Sequence, residues 1–106
     1  MTDSKYIFKD TNSLSWEEST SLPGMDTKSL GTVDGQTMEL FRFAPNTAYP
    51  EHVHKGPEFV YVLEGRARLS GQWLETGWSS IGRTGSVDSD FLSGEEGCVL
   101  LAVYTP

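Results

Sequence analysis

The sequence predicts an all-β domain, a jelly-roll or double-stranded β-helix barrel, and three observations carry that expectation. Helix signals are nearly absent, and short β-forming runs recur at close intervals between turn residues. The run Glu58-Phe-Val-Tyr-Val-Leu63 is also apolar on both faces, as a barrel wall requires when it has its interior on one side and packed neighbours on the other.

The 106 residues allow one domain with a single hydrophobic core. Residues 1–36 are weakly patterned, broken at Pro23-Gly24 and Asp34-Gly35, and read as an N-terminal arm and an edge strand covering this barrel or a partner's. Within the arm, NSLSWEEST offers an S-x-x-E pattern in which Ser15 caps a short turn through Glu18. Residues 37–106 form the barrel proper, with strands over 37–43, 51–55, 58–63, 66–70, 73–75, 78–81, 86–92 and 97–104.

The connectors carry the turn chemistry. Pro45-Asn46 suits the central pair of a type II turn, since proline presets φ and asparagine tolerates a positive one. Glu64-Gly65 reads as a tight hairpin, and Gly71-Gln72 as a second one joining 66–70 to 73–75.

Composition excludes several functions. A net charge of -7, with only eight scattered basic residues, argues against nucleic acid. No apolar run approaches a membrane span, and the N-terminus lacks the basic-then-apolar order of a secretory signal, so no membrane partner is expected. The lone Cys98 rules out an intrachain disulfide, which makes a cytoplasmic location the expectation. It stands in the apolar run GCVLLAVY as a buried, inert thiol. Neither a serine–histidine nor a cysteine–histidine nucleophile arrangement is present, nor a glycine-rich phosphate loop.

The chemistry concentrates in EHVHKGPEFVYVLEG, residues 51–65, which holds both histidines of the chain. His52 and His54 are two apart, so on a strand they share one face and can converge on one ion. Glu58 has the same parity beyond the break at Gly56-Pro57, and a sharp reversal there would return it to the histidines. An isolated H-x-H also suits solvated residues beside a loop; the added spacing to Glu58 and Gly65 weighs against that.

This stretch resembles the first motif of the cupin superfamily: H-x-H, a glutamate after three or four residues, and a glycine after six more. His52, His54, Glu58 and Gly65 meet those positions, and Asn46 stands where the motif opens with glycine. The resemblance implies that His52, His54 and Glu58 are metal ligands inside a β-barrel. The second cupin motif, G-x5-P-x-G-x2-H-x3-N, is degraded here. It places Gly77 on its first glycine, Arg83 on the proline, Gly85 on the second glycine and Asp88 on the ligand histidine. The implied fourth ligand is therefore Asp88, with Asp90 of the same parity as a substitute and a turn-capping role as the alternative for both.

RFAPNTAYPEHVHKGPEFVYVLEG, with SGEEGCVLLAVY and the leading SWEESTSLPGMDTKSLG, is similar to the ChrR-type cupin-like domain of zinc-binding anti-sigma factors and stand-alone relatives. The regulatory region of those anti-sigma factors, a separate helical domain with its own zinc ligands, is missing from these residues, so the resemblance does not carry over the anti-sigma function. Other relatives of the group are similar to Fe(II) dioxygenases that cleave diketones or hydroxyketones.

Two imidazoles and two carboxylates would sum to about zero charge around a divalent cation, while two histidines and one carboxylate make the open facial set of non-haem Fe(II) oxygenases. Fe, Zn and Mn all suit such donors. Phe41, Phe43, Tyr49, Trp73, Trp78 and Phe91 are pocket-lining candidates, and Arg83 either lines the mouth or stands exposed. Three readings follow: a metal-dependent, dioxygenase-like enzyme on a small organic substrate; a non-enzymatic metal-binding sensor or ligand-binding cupin; and a cupin that has lost its metal. A homodimer is expected from the unpatterned arm.

Overall fold

In the computed structural model, which describes residues 5–106, alternation of inward and outward side chains organises nine strands. They are β1 (Glu17–Glu18), β2 (Met25–Val33), β3 (Gln36–Phe43), β4 (His52–Val53), β5 (Glu58–Leu69), β6 (Gln72–Leu74), β7 (Ser79–Gly82), β8 (Val87–Asp88) and β9 (Leu92–Tyr104). All pairings are antiparallel. One sheet runs β1-β2-β3-β9-β5-β6, with β7 beside the first half of β5, and β4 pairs with β8 as a second, short sheet. The sheets enclose one core, formed by Phe43, Val60, Val62, Ala67, Leu74, Phe91, Cys98, Leu100 and Ala102. This is the jelly-roll architecture the sequence predicts.

Local chemistry explains the tight turns. Asp34-Gly35 and Ser70-Gly71 both have positive φ at each residue and join strands whose last pairs are Val33–Gln36 and Leu69–Gln72. That is the two-residue hairpin whose twist matches its flanking strands. The second hairpin is centred one residue earlier than Gly71-Gln72, because Gln72 already pairs with Leu69. Asn46 takes the left-handed conformation expected at Pro45-Asn46.

Glu64-Gly65 is not a hairpin. The runs 58–63 and 66–70 are one strand, β5, which bulges against β9 between Val62 and Glu64 and again between Gly65 and Ala67. Gly65 does have positive φ, but a Cβ there would stand 2.2 Å from the Gly97 carbonyl oxygen. The glycine serves close approach of two strands within the sheet rather than a reversal. Other boundaries shift too. The strand expected over 51–55 shortens to His52–Val53, that over 86–92 to Val87–Asp88, and β9 starts at Leu92, ahead of 97.

In the arm, the expected turn from Ser15 to Glu18 is absent, since Glu17–Glu18 pair with β2 as a strand. A 3-10 turn forms earlier, at Thr11–Ser13, capped by the Asp10 side chain. β2 pairs along the whole of β3, and Trp16 lies under the cations of Lys28 and Arg42, 4.8 and 4.5 Å from its ring centre.

Space rather than φ alone should separate two glycines. Gly35→Ala, at an open turn with nothing within 4 Å, should cost about 1 kcal/mol in urea unfolding from its positive φ. Gly65→Ala should exceed that by about 1–3 kcal/mol through the clash with Gly97; equal losses would contradict the bulge.

Candidate metal centre

β4 and β8 bring the first three polar groups together. His52 pairs directly with Asp88 across them, and His54 follows at the end of β4, held by backbone bonds to Ser86 and Gly85. The chain then reverses through Gly56-Pro57, and Glu58 enters as the first residue of β5. Gly56 packs so closely on Thr105 that a Cβ would stand 2.2 Å from its Oγ1, which makes room for the sharp reversal.

His54 Nε2 lies 3.4 Å from Glu58 Oε2 and 3.2 Å from Asp88 Oδ1, and His52 Nε2 lies 3.5 Å from Asp88 Oδ2. One donor atom of each residue falls within 4.8 Å of all the others, an arrangement able to hold one ion. Asp90 stands apart: it pairs with Arg68 and accepts from the Gly71 amide.

The far nitrogens fix the rings. His52 Nδ1 is 3.2 Å from the Pro50 carbonyl oxygen, which only accepts, so in the neutral ring Nδ1 carries the proton and Nε2 is bare. His54 Nδ1 is 2.9 Å from Ser86 Oγ. His54 Nε2 is buried and, despite its nearness to Asp88, has no hydrogen-bond partner among the described residues. A Cβ on Gly82 would stand 2.9 Å from His54 Nδ1 and 3.1 Å from Ser86 Oγ, so glycine at 82 leaves room for that contact. Burial raises the Glu58 carboxyl, and Asp88 raises it further, against the lowering influence of His54 and His52. Nε2 of both imidazoles and two carboxylates share one small space, a donor set able to hold a cation.

The cluster opens into a cavity of about 320 Å³ with a largely apolar wall that includes Val60, Leu69, Leu74, Leu100 and Ala102. Phe41, Phe43, Tyr49 and Phe91 line it. Ser93 organises this wall from behind: its hydroxyl accepts from Thr47 N at 2.7 Å and donates to the Ala44 carbonyl at 2.6 Å, strapping the 44–49 loop onto β9.

Trp73 and Trp78, expected to line the pocket, lie outside the cavity wall, and Arg83 takes the exposed alternative. Trp73 faces outward beneath Arg66 and Arg68, at 4.1 and 5.7 Å. Trp78 follows the Thr76-Gly77 turn and is about half exposed, and Arg83 is exposed at the turn after β7. Trp73 alternates with the buried Leu74 on β6, so its parity points it outward. Cys98 is buried, and burial pushes its thiol up to about 12, far from a nucleophile's range.

Sequence reasoning missed Ser86, Glu39 and Tyr104. Ser86 lies in an acidic loop and carries no distinguishing signal. Glu39 and Tyr104 were readable by parity, since Glu39 shares a face with Phe41 and Phe43, and Tyr104 with Leu100 and Ala102. The Tyr104 hydroxyl donates to Glu39 Oε1. Burial, that bond, and the nearby Glu39, Tyr49 and Glu58 all raise the Tyr104 phenol. Burial followed by Glu58, Asp88 and Glu39 raises Tyr49.

The sequence profile of the ChrR cupin-like domain matches residues 4–106. The chain belongs to the ChrR cupin-like domain family. A candidate acetylacetone dioxygenase from Methylibium petroleiphilum PM1 superposes with a TM-score of 0.86 at 13% identity, covering 99% of this chain and 80% of that one. An acetylacetone dioxygenase from Acinetobacter johnsonii gives 0.80 at 11% identity, covering 99% and 76%. The anti-sigma factor ChrR of Rhodobacter sphaeroides, solved in complex with SigE, gives 0.73 at 23% identity; 90% of this cupin chain covers 50% of that chain. At these identities the likeness establishes the fold. No curated protein matches the chain in sequence.

Two predictions follow from the cluster. A carboxyl held above its usual range binds its proton more tightly folded than unfolded, so its ionisation destabilises the fold as pH rises. Metal-free Glu58→Gln should therefore melt above the parent protein at pH 8, with the difference vanishing as pH falls through the carboxyl range. A parent that is the more stable at pH 8 contradicts this. Ser86→Ala should weaken zinc binding about 10–100-fold in competition titrations while leaving the circular dichroism spectrum unchanged.

Proposed function

We propose that this cupin is a metal-dependent enzyme in which His52, His54, Glu58 and Asp88 hold one divalent ion, Fe, Zn or Mn, beside the apolar cavity. Its reaction is dioxygenase-like and its substrate a small organic molecule. The observation that supports this reading most directly is the buried, unpartnered His54 Nε2 between two carboxylates in the lining of a ligand-sized cavity. An ion held there supplies Lewis acidity and, as Fe(II), a source of electrons for dioxygen. The chain's own contribution is spatial. His52 and His54 are oriented through Pro50 and Ser86, and the Phe41, Phe43 and Phe91 walls keep water from an apolar substrate. The two dioxygenase folds above are consistent with that assignment.

A second reading is a ligand-sensing or metal-sensing domain, favoured by the family itself and by the likeness to ChrR. The two differ in turnover, not in metal content. For either, a homodimer is proposed, because Phe59, Tyr61, Leu63 and Ile81 leave one sheet face apolar and exposed. A cytoplasmic site of action is proposed from the unpaired thiol.

Protein purified without chelator should carry close to one equivalent of Fe, Zn or Mn by elemental analysis. His54→Ala should lower affinity by more than about 100-fold, beyond the effect of losing an outer partner. Anaerobic Fe(II) loading followed by oxygen uptake with acetylacetone and with hydroxyketones then separates enzyme from sensor. Full metal occupancy with no uptake on any of them would overturn the enzyme reading.

A further inference from the structure

Strand register orders the outward side of the larger sheet into apolar rows. Gly31 pairs with Met38, Met38 with Val103, Val103 with Phe59 and Phe59 with Ile81, so one row crosses β2, β3, β9, β5 and β7 on a single face. Leu40, Leu101 and Tyr61 form the row beside it. The two ends of this face differ. At β2 the N-terminal arm lies on it. A Cβ on Gly31 would meet Ile7 at 3.8 Å, Lys9 and Lys28 tie the arm to β2 through the Ser29 and Thr11 carbonyls, and Trp16 lies against Lys28. At the far end nothing among the described residues covers Phe59, Tyr61 or Ile81, the last of which is 68% exposed. The arm itself turns apolar surface outward: Tyr6 and Phe8 stack at 5.9 Å, with Phe8 83% exposed.

Charge, area and relief choose the occupant. In a chain of net charge -7 these two rows contain no acidic residue, and their one cation, Lys28, is already engaged by Thr11 and Trp16. A second copy therefore meets no repulsion at the contact, whereas a basic partner finds no acid to pair with. Five strands about 4.8 Å apart and two rows about 7 Å apart make a patch of roughly 340 Å². A stable pair buries about 800 Å² on each copy, so the flat face is too small by itself and the arms have to contribute. A two-fold axis parallel to the strands over β9, the middle strand of the five, sets the raised arm end of each copy against the bare end of the other. An axis along the rows would set arm against arm and leave both bare ends open.

We propose that two copies of this chain pair face to face across these rows, the stacked Tyr6 and Phe8 of each covering Phe59 and Ile81 of the other. This rests on the homodimer reading above, is independent of the metal, and adds the face, the axis and the segment that make the pair.

Sedimentation velocity of the full chain, diluted stepwise from about 100 μM, should show a dimer that dissociates on dilution. Ile81→Glu and Phe8→Glu, both at exposed positions, should each weaken the pair by about 30-fold or more and leave the circular dichroism spectrum unchanged. Cysteine pairing then tests the axis. An equal mixture of Phe8→Cys and Ile81→Cys chains, oxidised with copper phenanthroline, should give a disulfide-linked dimer on a non-reducing gel. Neither variant alone should link, and the parent chain, whose Cys98 is buried, is the control. A chain that stays monomeric at every concentration overturns the homodimer reading and this proposal with it. A dimer that either glutamate leaves intact, a mixture that does not link, or a cysteine variant that links to itself overturns this proposal alone.

Discussion

Crowding of two carboxylates beside two imidazole nitrogens is the constraint on which the rest of the molecule depends. Groups within 4.8 Å that all present electron pairs repel; for two carboxylates at that spacing the cost is about 3 kcal/mol at an effective dielectric near 20. A divalent cation, or a proton held on Glu58, offsets that cost. The surrounding fold reads as the apparatus that keeps the cluster in place: β4–β8 pairing sets His52 against Asp88, and β5 delivers Glu58 after a reversal tight enough to require Gly56.

Rigidity is supplied at several removes. Ser86 and Pro50 orient the imidazoles, Gly82 leaves room for the Ser86 contact, and fully buried Ser93 ties the loop carrying Tyr49 to β9. Hydrogen bonds of this kind define a site more by removing alternatives than by their own energy, since each contributes only about 1 kcal/mol net. The inner faces of β3, β5 and β9 add the apolar half of the cavity, so the polar cluster and the hydrophobic core share one space.

The outward faces follow different physics. Trp16 and Trp73 are each covered by a pair of cationic side chains, which shields aromatic surface from water without burying it in the core. The face with Phe59, Tyr61 and Ile81 has no such cover among the described residues.

The amino-acid sequence by itself determined the fold class, the H-x-H parity and the approach of Glu58, because strand alternation and turn chemistry are local rules. His52, His54 and Glu58 lie within seven residues of one another, close enough for those rules to reach. Asp88 came from a degraded motif, and only the pairing of β4 with β8 distinguishes it from Asp90, two residues on. The Glu64-Gly65 error has the same origin: a left-handed glycine is locally identical in a hairpin and in a bulge, and contact with Gly97, 32 positions away in the chain, decides which it is. Tertiary structure likewise settled which aromatics meet the cavity, since a strand's inward face is defined only once its neighbours on both sides are in place.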